Sequence, residues 1–138
     1  MRTSSYEQIV IDILRYNKID FVREKTFSHL GGARAPYRFD FYIPSMNATL
    51  EIAGEQHYQW VKKFHKERKD FLKAQERDRK KIAYCLAHGI LIYEIPYWDL
   101  QKLESAHVDA NSALFKPEYL AKSKWHNDNA RRKAAKGN

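Results

Sequence analysis

The sequence predicts an α/β domain in which a mixed β-sheet is flanked by helices, and three observations support this class. Two runs of alternating apolar and polar residues indicate a β-hairpin around residue 45. A long charged segment with helical spacing follows, and a nearly continuous apolar run after it indicates a buried strand. A strand that follows a long helix is most naturally parallel to the strand before it, so the predicted sheet contains both orientations.

The first predicted element is a helix that begins at Ser4 or Ser5, both favourable N-cap residues, and ends near Asn17. A strand is predicted over residues 20–27, and a glycine-rich loop follows over residues 29–36. This loop lacks the Gly-Lys-Ser/Thr ending of a nucleotide-binding loop. We interpret it as an ordinary hairpin connection, and a second interpretation makes it the edge of a DNA channel with Arg34 pointing inward.

The predicted hairpin joins residues 37–43 to residues 48–53 through a turn-forming cluster. A two-residue loop at Ser45 and Met46 would bring Asp40 opposite Glu51, on the face that we expect to be open. Their Cβ atoms would lie about 5 Å apart, where like charges destabilise a strand pair. Two carboxylates and water can hold Mg²⁺ beside a phosphate. The alternative is a solvated face on which two acids are neighbours by chance.

The second half of the chain begins with a long helix that Gly89 ends, followed by a strand over residues 90–95. Short helices are predicted over residues 98–103 and 117–125. We expect a core domain over residues 1–105 and a helical extension with a basic tail over residues 106–138. The apolar stripe of the long helix is predicted to consist of Phe71, Leu72, Ala74, Ile82, Ala83, Leu86 and Ala87.

The formal net charge of +8 over 138 residues favours a polyanionic partner. Residues 60–81 contain ten Lys or Arg against four acids, a local excess of +6, which indicates phosphate contacts or a solvated helix face. The C-terminal tail is interpreted as a basic arm for DNA or a solubilising segment. With a single cysteine and no apolar leader, we expect a cytoplasmic protein of a bacterial or phage-infected cell that has no membrane partner.

A combination of residues resembles the core of the PD-(D/E)XK nuclease superfamily, which has the restriction-endonuclease-like fold. Asp40 precedes a turn, Glu51 lies in an apolar strand, and Gly54 and the run Gln56-His57-Tyr58 follow. The resemblance covers roughly residues 5–105 and is closest to small phage and bacterial nucleases related to very-short-patch repair endonucleases.

The resemblance implies a metal-dependent endonuclease that acts on DNA. Asp40, Glu51 and the carbonyl of Ile52 would hold Mg²⁺, with Mn²⁺ as a substitute. The DNA-binding residues would come from both sides of the site, and they are Arg34, Arg38, Trp60, Lys62, Lys63 and Lys66. We leave open a weak homodimer, because one site per chain cuts one strand.

The sequence departs from the resemblance at Ala53, where the superfamily has a lysine. His57 or Gln56 would then orient or deprotonate the attacking water. Glu7 corresponds to an additional acid from the first helix, although an acid in a first turn also stabilises the helix dipole. Ala53 supports a different function, a DNA-binding module that keeps the fold without cleavage. A domain that binds an acidic protein partner is a third alternative.

Overall fold

The computed structural model describes residues 4–32, 34–54 and 68–121, which form four helices and one four-stranded sheet. Short 3-10 turns lie at Pro44–Met46 and Pro117–Tyr119. The helices and strands predicted up to residue 103 are present; the first two strands are shorter than predicted, and the third, Ala48–Ala53, has the predicted bounds. In chain order they are α1 (Ser5–Tyr16), β1 (Val22–Lys25), β2 (Phe39–Ile43), β3 (Ala48–Ala53), α2 (Arg68–Ala87), β4 (Leu91–Pro96), α3 (Tyr97–Gln101) and α4 (Ala110–Ala113).

The strands are arranged in the order β1-β2-β3-β4. The pairs β1/β2 and β2/β3 are antiparallel, whereas β4 is parallel to β3. The long α2 connection makes this parallel pairing possible, because parallel neighbours cannot be joined by a tight turn. The prediction of an α/β fold with a mixed sheet flanked by helices is therefore confirmed.

One face of the sheet packs against α1, whose side chains at helical spacing are buried. Val10, Ile13 and Leu14 lie in one apolar cluster with Phe41 and Leu50 of the central strands. Burying such a side chain contributes about 1.5–3 kcal/mol. The segment after residue 105 joins the same cluster, through Ala110, Leu114, Phe115 and Tyr119.

The other face is covered by α2, so the face that carries Glu51 is not open as predicted. The predicted apolar stripe of α2 is also wrong in part, since Leu72 is 50% exposed and Leu86 is 44% exposed. The buried residues of the helix are Phe71, Lys81 and Cys85. They follow helical spacing, but one of them, Lys81, is charged. A pattern that admits only apolar residues on the packed face therefore predicts a different face of the helix.

The hairpin between β2 and β3 has the predicted register, because Phe41 pairs with Leu50 and Ile43 pairs with Ala48. Its turn contains four residues rather than two, and Asn47 closes it with a left-handed φ of 47°. Tyr42 donates a hydrogen bond from its hydroxyl to Asn47 Oδ1 at 2.7 Å. The observed four-residue turn and the predicted two-residue turn are both centred between Ser45 and Met46, so the register of the paired strands is unchanged.

The glycine-rich loop is a tight connection rather than a phosphate-binding loop. Gly31 bridges to Pro36, and the Gly32 N–H donates to the Ala35 carbonyl at 3.0 Å. A Cβ on Gly31 would lie 2.7 Å from Pro36 Cα, so glycine is required there. The ordinary hairpin interpretation therefore fits this part of the chain.

Gly89 ends α2 as predicted, with φ of 68°. The Ile90 N–H donates to the Cys85 carbonyl at 2.9 Å, which is the long bond of a Schellman motif. Near the C-terminus, the predicted helix over residues 117–125 is a 3-10 turn as far as the structure describes it. No helix within the described ranges is long and apolar enough to cross a membrane.

Candidate active site

Asp40 and Glu51 lie where β2 and β3 diverge. The paired positions of the two strands end at Phe41 and Leu50. Beyond them, the Asp40 N–H donates to Glu51 Oε1 at 2.8 Å, and the Ile52 N–H donates to Asp40 Oδ2 at 2.8 Å. Each carboxylate thus accepts a hydrogen bond from the backbone of the opposite strand, which fixes both side chains in position.

Lys81 reaches this pair from α2, and its side chain is 6% exposed. Its Nζ atom lies 2.9 Å from Glu51 Oε2 and 2.6 Å from the carbonyl oxygen of Arg38. The same ammonium group lies 4.6 Å from the centre of the Phe39 ring. A buried ammonium needs such partners, because desolvation without them would cost several kcal/mol. Lys81 is therefore held at a defined point beside the carboxylates.

The pKa of Glu51 is raised from 4.5 to about 7. Burial is the largest cause, and the negative charge of Asp40 is the second. The charge and hydrogen bond of Lys81 act in the opposite direction. Glu51 therefore carries a proton over part of the neutral range unless additional positive charge stabilises its carboxylate.

These side chains line an open cleft of about 730 Å³. The cleft lies between the divergent ends of β2 and β3, the N-terminal part of α1 and the inner face of α2. Five of the predicted site residues line it. They are Glu7, Arg38, Asp40, Glu51 and Ile52.

Glu7 has a structural role in addition to its place in the cleft. Its N–H donates to Ser4 Oγ, and its carboxylate accepts from the Ser4 N–H, which completes a capping box at the start of α1. Its second carboxylate oxygen forms an ion pair with Arg23 of β1. Both oxygens of Glu7 therefore have partners that explain its presence without catalysis.

Of the predicted DNA-binding residues, Arg34 and Arg38 lie within the described ranges. Arg34 is exposed in the tight connection, while its neighbours Ala35 and Pro36 line the cleft. Arg38 pairs with Glu24 at 3.4 Å and keeps a side chain that is 65% exposed. The remaining predictions lie outside the described residues, and they are Gln56, His57, Trp60, Lys62, Lys63 and Lys66.

Lys81 is the residue that the sequence interpretation missed. In the sequence it is one lysine of a charged segment, whereas its position in the fold puts an ammonium group next to Glu51. Ala53 and Lys81 line the same small pocket, together with Glu51. The signal was present in the helical spacing, because Lys81 lies ten residues after Phe71 and four before Cys85 on one face. A positive charge thus reaches this region from the helix instead of from position 53.

The donors suit a hard divalent cation. Mg²⁺ is commonly held by one or two carboxylates, with water and substrate phosphate completing its shell. Asp40, Glu51 and the Ile52 carbonyl are oxygen donors of this kind, and a carboxylate oxygen that accepts one hydrogen bond retains a further lone pair. Within the described ranges, no group of three or more His, Cys, Asp or Glu could hold a metal ion. A cation at this point would have two carboxylates and one carbonyl as its protein ligands.

Comparison with known proteins finds similarity to viral proteins. Over 81 residues the chain is 37% identical to the uncharacterised protein 094L of Frog virus 3 (isolate Goorha), covering 58% of the chain and 52% of the relative. Over 78 residues it is 31% identical to the uncharacterised protein 307L of Invertebrate iridescent virus 6, covering 56% of the chain and 39% of the relative. The chain thus spans about half or less of these relatives. No protein-family model and no solved structure matches the chain.

Proposed function

We propose that the chain is a divalent-metal-dependent endonuclease that hydrolyses DNA phosphodiester bonds. One observation carries this proposal: Asp40, Glu51 and Lys81 come from three separate elements and converge in one open cleft. Two acids and an ammonium group are the chemical groups that phosphodiester hydrolysis needs, because a cation-binding site and a neutralising charge must lie beside the phosphate. The net charge of +8 supports a nucleic-acid substrate.

In the proposed mechanism, Asp40, Glu51 and the Ile52 carbonyl would hold the cation. A divalent ion bound there would supply Lewis acidity and lower the pKa of bound water. Lys81 favours the ionised form of Glu51 through charge and hydrogen bonding. Its ammonium also adds positive charge near the site where negative charge grows on the phosphate. Water adds to phosphorus and loses a proton to solvent, one P–O ester bond breaks, and the departing oxygen takes a proton from solvent.

The order of the elements supports the resemblance to the PD-(D/E)XK superfamily on which this proposal also rests. The acids lie on a hairpin, and a helix and a parallel strand follow it, as the resemblance implies. The position of Lys81 supports the proposal despite the alanine at position 53, because the helix brings an ammonium group to 2.9 Å from Glu51. The viral origin of the matched relatives supports a role in a virus-infected cell.

The test is a plasmid-nicking assay with purified protein in Mg²⁺, Mn²⁺ or EDTA. Glu51→Gln removes the charge of one proposed metal ligand at nearly constant volume. Glu118→Gln is the matched control, because Glu118 is exposed and does not line the cleft. We expect nicking by the unmodified protein and by Glu118→Gln in Mg²⁺ or Mn²⁺, and none by Glu51→Gln or in EDTA.

The rival function is a DNA-binding module without cleavage, which Ala53 originally favoured. It would be supported if the protein shifts DNA on a gel but cuts no duplex, branched or single-stranded substrate with either metal. Absence of salt-sensitive DNA binding would exclude both functions and favour a protein partner with an acidic surface.

A further inference from the structure

Three basic side chains line the cleft, and the mechanism above leaves Arg77 without a role. Arg77 lies on α2, four residues before Lys81. Side chains four residues apart on a helix are neighbours on one face, with Cβ atoms about 5–6 Å apart. Arg77 is therefore one helical turn along the cleft from the ammonium group that contacts Glu51.

The environment of Arg77 leaves its charge available to a ligand. Its side chain is 45% exposed, and its Nε atom lies 3.8 Å from Asp78 Oδ1. This contact is longer than that of Arg38 with Glu24, at 3.4 Å, or that of Lys81 with Glu51, at 2.9 Å. A long and exposed ion pair contributes little stability, so it is easily exchanged for another anion.

The chemistry of the guanidinium group indicates which anion. Its planar fork of N–H donors matches a phosphate and can bind it through two parallel hydrogen bonds. The contact with Asp78 involves Nε and lies at the limit of ion-pair distance, so it does not occupy the two terminal nitrogens. A half-exposed arginine in a cleft is thus suited to bind one phosphate of the DNA backbone.

We propose that Arg77 binds the DNA phosphate adjacent to the one that is cut, on the α2 side of the cleft. The inference rests on the proposed endonuclease and names a positioning residue for its substrate. Arg77 contacts the sugar-phosphate backbone, so its contribution does not depend on base sequence. It fixes the position of the strand while Asp40 and Glu51 face the reacting phosphate.

The helix supplies a matched control. Arg79 follows Arg77 by two residues, which places it about 200° around the helix, and it is exposed. Arg77→Gln and Arg79→Gln therefore remove the same charge from the same helix, one from the cleft face and the other from the outer face. Both variants would first be checked for unchanged circular dichroism and thermal unfolding.

The experiment measures affinity for a short DNA duplex over a range of salt concentrations. Ca²⁺ replaces Mg²⁺, and a denaturing gel confirms that the DNA stays intact. We expect Arg77→Gln to bind about tenfold more weakly, since it loses hydrogen bonds to a charged group. The slope of log affinity against log salt should fall by about 0.9, the value for one phosphate contact. Arg79→Gln should match the unmodified protein in both quantities.

Nicking in Mg²⁺ is measured on the same proteins to separate this inference from the proposed function. If Arg77→Gln behaves like Arg79→Gln while the unmodified protein still nicks DNA, the Arg77 contact is wrong and the endonuclease stands. If Arg77→Gln alone loses affinity and salt dependence but no protein nicks DNA, the contact stands and the endonuclease is wrong. An unmodified protein that does not bind the duplex would overturn both.

Discussion

Lys81 Nζ lies 2.9 Å from Glu51 Oε2, and both side chains are buried between α2 and the sheet. A buried pair of this kind is not strong evidence for stability, because the desolvation of both charges offsets their attraction. Breaking the pair, however, leaves one buried charge without compensation. The two residues are therefore coupled, and substitution of Lys81 changes the titration of Glu51.

Lys81→Met should destabilise the protein by about 3 kcal/mol, because it leaves the Glu51 carboxylate buried without its ammonium partner. Lys81 lowers the pKa of Glu51, so its removal should raise that pKa further above about 7. The unfolded carboxyl keeps its ordinary pKa, and the loss of stability should therefore be larger at pH 8 than at pH 6. Urea unfolding at the two pH values measures this difference.

Lys80→Met is the control for that prediction. Lys80 is the adjacent lysine, and it forms an exposed ion pair with Glu76 on the outer surface of the helix. Because such pairs contribute little, we expect Lys80→Met to change the free energy of unfolding by less than about 0.5 kcal/mol. Equal destabilisation by the two variants, or a Lys81→Met effect that is the same at both pH values, would show that the buried pair is not coupled as described.

The rate of DNA nicking should depend on Lys81. If its ammonium stabilises charge on the phosphate, Lys81→Met should reduce the rate by about 10²- to 10³-fold under conditions where the variant remains folded. The nicking assay is run at pH 6.5 with folding verified by circular dichroism. Lys80→Met should retain the full rate, and a Lys81→Met variant that cuts equally well would exclude Lys81 from the reaction.

Metal binding should stabilise the protein more at pH 8 than at pH 6. The Glu51 carboxyl has a folded pKa of about 7 and an ordinary value of 4.5, so the folded protein binds the extra proton between these values. Without metal, the contribution of Glu51 to stability therefore falls as the pH rises through this window. Mg²⁺ must displace the proton, so its affinity rises over the same window.

Thermal unfolding with and without Mg²⁺ at the two pH values measures this effect. At about tenfold excess over its dissociation constant, the ion should stabilise the folded state by about 1.4 kcal/mol. Glu51→Gln should show no Mg²⁺ dependence at either pH. A Mg²⁺ effect of the same size at pH 6 and pH 8 would mean that the ion does not bind through Glu51.

Glu7→Gln should reduce stability and leave nicking within about twofold of the unmodified rate. Both oxygens of Glu7 have partners, one in the capping box with Ser4 and the other in the ion pair with Arg23. Glutamine keeps the acceptor oxygen of the capping box, so the loss comes from the partly buried ion pair with Arg23. Ser4→Ala removes the cap at a cost of about 1 kcal/mol and leaves the ion pair, and chemical denaturation of both variants gives the comparison. A nicking defect in Glu7→Gln that Ser4→Ala lacks would assign Glu7 to the reaction.

The hairpin and its register could be predicted from sequence because they depend on local patterns. Alternation fixes which residues share a face, and the turn cluster fixes which positions are opposite. The predicted turn has two residues and the observed turn has four, but both are centred between Ser45 and Met46, so Phe41 still pairs with Leu50. The predicted pairing of Asp40 with Glu51 is not formed, because the ladder ends one position earlier and the two acids follow it on opposite strands. The proximity of the two carboxylates was nevertheless accessible without any knowledge of tertiary structure.

The role of Lys81 could not be predicted in the same way, because it depends on how α2 is rotated against the sheet. Residues 60–81 contain ten Lys or Arg, and residue type alone does not distinguish Lys81 from the others. Its spacing from Phe71 and Cys85 was a usable signal, but only if a charged residue is allowed on the packed face. The raised pKa of Glu51 was likewise inaccessible, because burial by α2 is its largest cause.

The two carboxylates also accept backbone hydrogen bonds from the opposite strand at the point where β2 and β3 separate. Asp40→Ala would leave the Ile52 N–H without the acceptor that it has in this structure, and a buried donor in that condition costs about 1–3 kcal/mol. Selection for folding alone would therefore favour these acids even in a protein that does not cut DNA. Asp40→Asn keeps an acceptor oxygen and removes the charge. It therefore distinguishes the structural role of Asp40, as an acceptor for the Ile52 N–H, from its proposed role as a metal ligand.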